Sequence, residues 1–224
     1  MSLFKSDIYA VNSKNKANGL DLLNDINDST ITAVFFDPQY RGILDKMKYG
    51  NEGKSRSKAR CELTQMDEAT IIAFIREIDR VLKKSSHLFL WIDKFHLCQG
   101  VHSWLEGTDL NIVDMIVWNK GKIGMGYRTR RKSEYLLILQ KSPVRAKDCW
   151  TDHAIPDVWE EKAMKTHPHS KPVDLQRRLI SAVSKESDII LDPAAGGYSV
   201  LDACILAERT FIGCDIAYGE QELS

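Results

Sequence analysis

The chain has 224 residues, enough to bury one substantial core, and at 43% hydrophobic and 28% charged it has the composition of a folded globular domain. Its 31 basic and 31 acidic residues cancel, so net charge alone points to no polyanion partner. No apolar run nears the roughly 20 residues of a membrane span, and the opening MSLFKSDIYA lacks a signal-peptide core, which makes a cytoplasmic location the expectation. Five scattered cysteines without a C-x-x-C pair, and a lone His167/His169 pair, argue against a disulfide framework or a metal site.

In chain order, GLDLLNDIND (19–28) reads as a short helix, and ITAVFF (31–36) as a buried strand stopping at Asp37-Pro38-Gln39-Tyr40. Ligands of open α/β sheets sit at the C-terminal strand edge. A carboxylate, a rigid proline and an aromatic would then stand at a cleft mouth, although Asp-Pro is also ordinary turn chemistry. Residues 41–62 are polar, basic and aperiodic, predicting a long surface loop of the kind that is usually functional or mobile. Thr64-Gln65-Met66-Asp67 opens a helix whose apolar face runs from Ile71 and Ile72 through Phe74, Ile75, Ile78 and Val81 to Leu82.

HLFLWID (87–93) reads as the next strand, 95–106 as helix and IVDMIVW (112–118) as strand. A glycine-punctuated basic loop (119–132) leads into the strand SEYLLILQK (133–141). Residues 142–170, with Pro143, Pro156 and Pro168, show little regular pattern. The amphipathic helix VDLQRRLISAVS, the strand DIILD, the helix YSVLDACILAE and the strand TFIGCDI complete the chain. Strands alternating with helices predict a single-domain α/β fold, a three-layer sandwich around a mostly parallel sheet.

Charge is distributed unevenly. Arg41, Lys46, Lys48, Lys54, Arg56, Lys58 and Arg60 crowd one segment against Asp45 and Glu52, and Lys120, Lys122, Arg128, Arg130, Arg131 and Lys132 form a second cluster. Two basic patches flanking one cleft suit phosphate contacts, while either alone fits a solvated loop. Near the C-terminus, DIILDPAAGGYSVLDACILAERTFIGCDI is strand, tight glycine turn, helix and strand. The spacing from Gly196 to Asp215 fits a turn that lets backbone approach a ligand and an acid that accepts from ribose hydroxyls, implying an adenosine-containing cofactor. Neither G-x-G-x-x-G nor a P-loop is present, and a plain βαβ unit with a glycine turn fits the same residues.

Together these motifs resemble the S-adenosylmethionine-dependent amino-methyltransferases of DNA, in the group whose catalytic motif precedes the cofactor motif. Its Asp-Pro-Pro-Tyr signature is similar to Asp37-Pro38-Gln39-Tyr40, and its D-P-F-x-G-S-G-T-T to DPAAGGYSV. Its H-P-T-Q-K-P segment is similar to His167-Pro168-His169-Ser170-Lys171-Pro172, and its middle region to the stretch holding Trp118, Lys120, Arg128, Glu134 and Tyr135. The resemblance spans residues 18 to 216, with departures at Gln39, Ala194 and Tyr198.

The resemblance implies a Rossmann-like fold with permuted motif order, and the insertion between Lys141 and Lys165 is short for a separate target-recognition domain. It implies methyl transfer to an exocyclic base amine after base flipping, with Asp37, Pro38, Gln39 and Tyr40 as the catalytic set. It implies S-adenosylmethionine held by Asp37, His167, Ser170, Lys171, Asp192, Ala194, Gly196, Tyr198, Ser199 and Asp215. DNA would meet Arg41, Lys46, Lys48, Lys54, Arg56, Lys58, Lys120, Lys122, Arg128, Arg130 and Arg131. Asp at the head of the motif favours adenine N6, with cytosine N4 or a degenerate, non-catalytic DNA-binding module as alternatives. A restriction-modification setting and a homodimer are further expectations from the family.

Overall fold

The computed structural model describes residues 2–6, 8–39, 66–124, 128–162 and 171–222. The expected loop 41–62 and the segment around His167 lie outside them. Among the described residues the strands are β1 Asn15–Lys16, β2 Ile31–Phe36, β3 Leu82–Ile92, β4 Leu110–Asn119, β5 Ser133–Lys141, β6 Val158–Glu160, β7 Ile189–Asp192, β8 Thr210–Asp215 and β9 Gln221–Glu222. The helices are α1 Gly19–Asp25, α2 Glu68–Val81, α3 Lys94–Gln99, α4 His102–Leu105, α5 Val173–Val183 and α6 Ser199–Ala207. No helix among the described residues is long and apolar enough to cross a membrane.

The strands form one sheet in the order β6-β4-β5-β3-β2-β7-β8-β1-β9. Only β5 runs antiparallel to its neighbours, β3 and β4, so the sheet is mostly parallel. The central strand β2 is buried along its whole length, as expected of a parallel strand covered on both faces. Its side chains alternate between two cores. Val34 and Phe36 pack with Ile71, Phe74, Ile75 and Ile78 of α2, and Ala33 and Phe35 pack with Leu175, Leu179 and Ile180 of α5 and Val200 and Cys204 of α6. Helix α2 starts where Asp67 caps it, its carboxylate accepting from Thr70 N at 2.8 Å.

Four details differ from the sequence reading. Strand β3 begins at Leu82, directly after α2, rather than at His87. The helix expected over 95–106 is two short helices, because Gly100 takes a φ of 81° that ends α3. The irregular segment before α5 contributes β6, held by parallel pairing of Val158–Glu160 with Val117–Asn119. Two-residue strands near the termini extend the far edge.

This topology places the site. Strands β2, β3, β7 and β8 run parallel and end at Phe36, Ile92, Asp192 and Asp215, so the residues following or closing them share one sheet edge. Antiparallel β5 starts at that edge, which brings Glu134 beside the end of β3.

Candidate active site

A cleft opens at this edge, lined by Phe35, Phe36, Asp37, Gln39, Trp91, Lys171, Gln176, Asp192, Ala194, Ala195, Gly196, Gly197 and Ser199. The expected residues Asp37, Gln39, Lys171, Asp192, Ala194, Gly196 and Ser199 therefore meet in one place, although they are far apart in the chain. Pro38 is buried next to them. Tyr40, His167, Ser170 and the basic residues Arg41, Lys46, Lys48, Lys54, Arg56 and Lys58 lie outside the described residues.

Asp37 stands where β2 ends, and Lys171, at the entry to α5, reaches it at 2.8 Å. The same ammonium lies 2.9 Å from Glu134, whose other oxygen is 2.8 Å from Lys120. Acid and base thus alternate from the cleft to the first basic residue of the basic loop. Lys171 also sits 4.9 Å over the Trp91 ring, a cation–π contact, and Trp91 meets Trp118 edge-on at 5.8 Å. Burial alone would raise the carboxyl of Glu134, but Lys171 and Lys120 overcome it and hold it down at about 2. Burial disfavours a charged Lys171, yet Asp37 and Glu134 raise it well above an ordinary lysine.

The glycine turn is built by the strands behind it. Asp192 closes β7 and accepts from Ala194 N at 3.1 Å. Gly196 has a φ of 50°, and the position a Cβ would take there is open space. Its N–H donates to Asp215 Oδ2 at 3.1 Å, while Asp215 Oδ1 accepts from Ala217 N and Tyr218 N at 2.7 and 3.0 Å. Asp215 thus fixes the turn from behind and is outside the cleft lining.

Tyr198 differs from the expectation of a cofactor contact. Its side chain is buried away from the cleft, donating its hydroxyl proton to Asn15 O at 2.7 Å and meeting Phe211 edge-on at 6.3 Å. Its φ of 58° is the left-handed conformation a glycine would adopt freely. Burial of the ring and the bond to β1 offset that backbone cost.

Burial, followed by the nearby charges of Asp37 and Asp215, pushes the Asp192 carboxyl up to about 8. Folded protein then binds a proton that the unfolded chain releases between the ordinary 3.8 and about 8. Stability therefore falls as pH rises through that window. Thermal melts of the wild type should show this slope, and Asp192→Asn should flatten it. An unchanged slope in the variant would assign it to other groups.

Several members of this cleft were not in the sequence reading. Trp91 and Gln176 line it, 2% and 1% exposed, and Trp91 Nε1 and Gln176 Oε1 are buried without a hydrogen-bond partner among the described residues. The clue for Gln176 lay in α5, where it occupies an apolar phase with Leu179 and Ile180. Gly19, outside the lining, packs against the turn, and a Cβ there would lie 2.0 Å from Pro193 O. No local pattern signals that contact. In the second basic cluster, Lys122, Arg128 and Arg130 are exposed, Lys120 is held by Glu134, and Arg131 lies 5.9 Å from the Phe95 ring.

Comparison with known proteins gives this geometry its chemistry. The family described as DNA methylase, whose members act at N6 or N4 of bases, matches residues 31–224. The chain belongs to this DNA methylase family. The methylase is 58% identical to the Type II methyltransferase M.HhaII of Haemophilus parahaemolyticus over 214 residues, covering 95% of this chain and 94% of the relative. It is 42% identical to the DNA adenine methyltransferase YhdJ of Escherichia coli over 52 residues, 23% of this chain and 18% of that one. Its fold is similar to the cytosine-N4-specific PvuII DNA methyltransferase, with a TM-score of 0.68 at 12% identity over 91% of this chain and 82% of that one. The family reaction is methyl transfer from S-adenosylmethionine to an exocyclic amine of a DNA base. The cleft fits such a cofactor in kind, because buried polar atoms on its wall await partners and the Gly196 turn leaves its side-chain direction open.

Proposed function

We propose that this methylase modifies adenine at N6, with Asp37 and the Pro38 carbonyl as the acceptors that orient the target amine. The observation that carries the reading is the seat of Asp37, at a strand end in the same cleft as Asp192 and the Gly196 turn. S-adenosylmethionine, when bound, supplies a methyl group on a positively charged sulfur, already activated for transfer. What remains for the protein is alignment. The amine of adenine is a poor nucleophile because its lone pair is delocalised into the ring. Acceptors that hold its hydrogens out of the conjugated plane turn the lone pair toward the methyl group. Lys171, 2.8 Å from Asp37, fixes the orientation of that carboxylate. Once methylated, the amine becomes acidic, so no strong general base is needed.

The cofactor would be held by Lys171, Asp192, Ala194, Gly196 and Ser199 along the cleft, with Asp215 supporting the turn by accepting from Gly196 N rather than lining the cleft. Tyr40 would stack on the base, which must leave the duplex to reach Asp37. Exposed Lys122, Arg128 and Arg130 suit phosphate contacts beside the Lys120–Glu134 pair. Asp at the head of the catalytic motif and the short match to an adenine methyltransferase support adenine. A cytosine-N4 enzyme shares the fold, so the fold is silent on the base. The Type II relative supports a restriction-modification setting. A homodimer would find an apolar edge at Ile112 and Val113, 39% and 41% exposed on β4.

Incubation with labelled S-adenosylmethionine and unmethylated duplex DNA, followed by mass analysis of the nucleosides, tests the reading. N6-methyladenine is the expected product. N4-methylcytosine would keep the mechanism and overturn the base, and no product despite bound cofactor would overturn the catalytic role.

A further inference from the structure

A second pocket lies beside the cleft at the same sheet edge, where β3 ends and β5 begins, and its walls are strongly basic. Lys94, Lys120, Arg130, Arg131 and Lys132 line it against two carboxylates, Asp93 and Glu134. Asp93 is already engaged, since its Oδ1 caps α3 by accepting from Phe95 N and His96 N at 2.9 and 3.0 Å. No ion pair joins Lys94, Arg130, Arg131 or Lys132 to a carboxylate among the described residues. Lys94 instead meets the Thr129 hydroxyl at 3.1 Å and the Phe95 ring at 5.3 Å. The surplus of positive charge suits an anion, and the anion that DNA brings to this edge is a backbone phosphate.

Glu134 is the wall shared by the pocket and the cleft. Its Oε1 lies 2.8 Å from Lys120, its Oε2 lies 2.9 Å from Lys171, and Lys171 lies 2.8 Å from Asp37. One ammonium is therefore divided between two carboxylates, and the division depends on how far Lys120 neutralises one of them. A phosphate entering the pocket competes with Glu134 for Lys120. Glu134 then draws Lys171 more strongly, and the hold of Lys171 on Asp37 loosens. A carboxylate less engaged by an ammonium is the better acceptor for the hydrogens of a target amine. We propose that a DNA phosphodiester seated in this pocket acts on Asp37 through Lys120, Glu134 and Lys171, so that full acceptor strength is reached only on bound DNA. Lys120 and Glu134 are positioning residues here. The coupling rests on Asp37 as the acceptor, adds what sets its strength, and holds for either target base.

Duplexes with one uncharged methylphosphonate linkage, moved stepwise around the mapped target base, test the coupling on the full chain. DNA affinity is measured by titration, and methyl transfer in single turnover at saturating DNA, for wild type and Lys120→Met. In the wild type, one linkage is expected to weaken binding and also to slow saturated transfer, by on the order of tenfold, the scale of coupling between two sites. In Lys120→Met the same linkage should still weaken binding, through Lys94 and Arg130, and no longer change the saturated rate. Lys120→Gln keeps a donor for Glu134 without the charge and carries the same expectation if the methionine variant fails to fold. Lys120→Arg should restore the wild-type response. A wild-type saturated rate that responds to no linkage would overturn the coupling and leave the pocket as an affinity contact. Equal slowing in wild type and the uncharged variants would overturn it too, since the phosphate would then act without Lys120. A wild type that methylates none of the duplexes would instead sink the catalytic reading of the cleft on which the coupling rests.

Discussion

Replacing Asp37 with alanine is expected to lower methyl transfer on the order of 10³-fold or more while S-adenosylmethionine still binds. The size follows from the role. Loss of one preorganised polar group at a reacting centre costs about 10²–10³, and misplacement of the nucleophile adds to it. The fold should survive, because Lys171 keeps Glu134 as a partner at 2.9 Å and is not left as an unpaired charge in the cleft. Single-turnover transfer from labelled cofactor, beside a cofactor titration of the same variant, measures both halves. Turnover near the wild-type rate would remove Asp37 from the chemistry. Loss of cofactor binding alone would place its contribution in the ground state instead.

The second large effect comes from a residue with no chemistry of its own. Gly19 begins α1, where Asn18 caps the helix by accepting from Leu20 N at 2.9 Å. A Cβ at Gly19 would lie 2.0 Å from Pro193 O and 2.7 Å from the Phe74 ring. The carbonyl is backbone and cannot swing aside, and it belongs to the turn that carries Ala194 and Gly196. Gly19→Ala should therefore cost about 1–3 kcal/mol of stability, the usual range for overpacking. At about 2–4 °C per kcal/mol for a chain of this size, the melting temperature should fall by roughly 2–12 °C. Cofactor affinity should fall with it, since the displaced peptide leads straight into the cleft. Gly107→Ala is the control: its φ is 78° with nothing within 4 Å of the added carbon, so it bears a backbone cost and leaves cofactor binding intact. Equal effects of the two substitutions on binding would refute the close-contact argument.

Both expectations depend on how different parts of the chain meet, and that divides what could be read early from what could not. Strand β2 was legible because six consecutive apolar residues ending at Asp-Pro have few other fates, and the structure places it at Ile31–Phe36. Strand β5, at Ser133–Lys141, and the apolar faces of α2 and α5 were legible for the same reason, that burial imposes a period on the residues themselves. The acid–proline and glycine-turn motifs carried the family and, through it, the reaction class. Their chemistry is local, written in which residue follows which.

The structure alone decided the rest. Strand β6 has no pattern in its three residues and exists only because Val117–Asn119 offer a parallel edge. Tyr198 reads as a cofactor contact in the motif, yet its hydroxyl bonds to Asn15 O, a partner from the other end of the chain. The Asp37–Lys171–Glu134–Lys120 series joins strand ends and loops that are adjacent only when β5 runs antiparallel beside β3. Sequence thus determined most of the elements, the class of fold and the class of reaction, since these follow from local pattern and residue type. Which polar groups face one another, and which are left waiting for a ligand, depends on strand order and close approach, and these are properties of the folded chain.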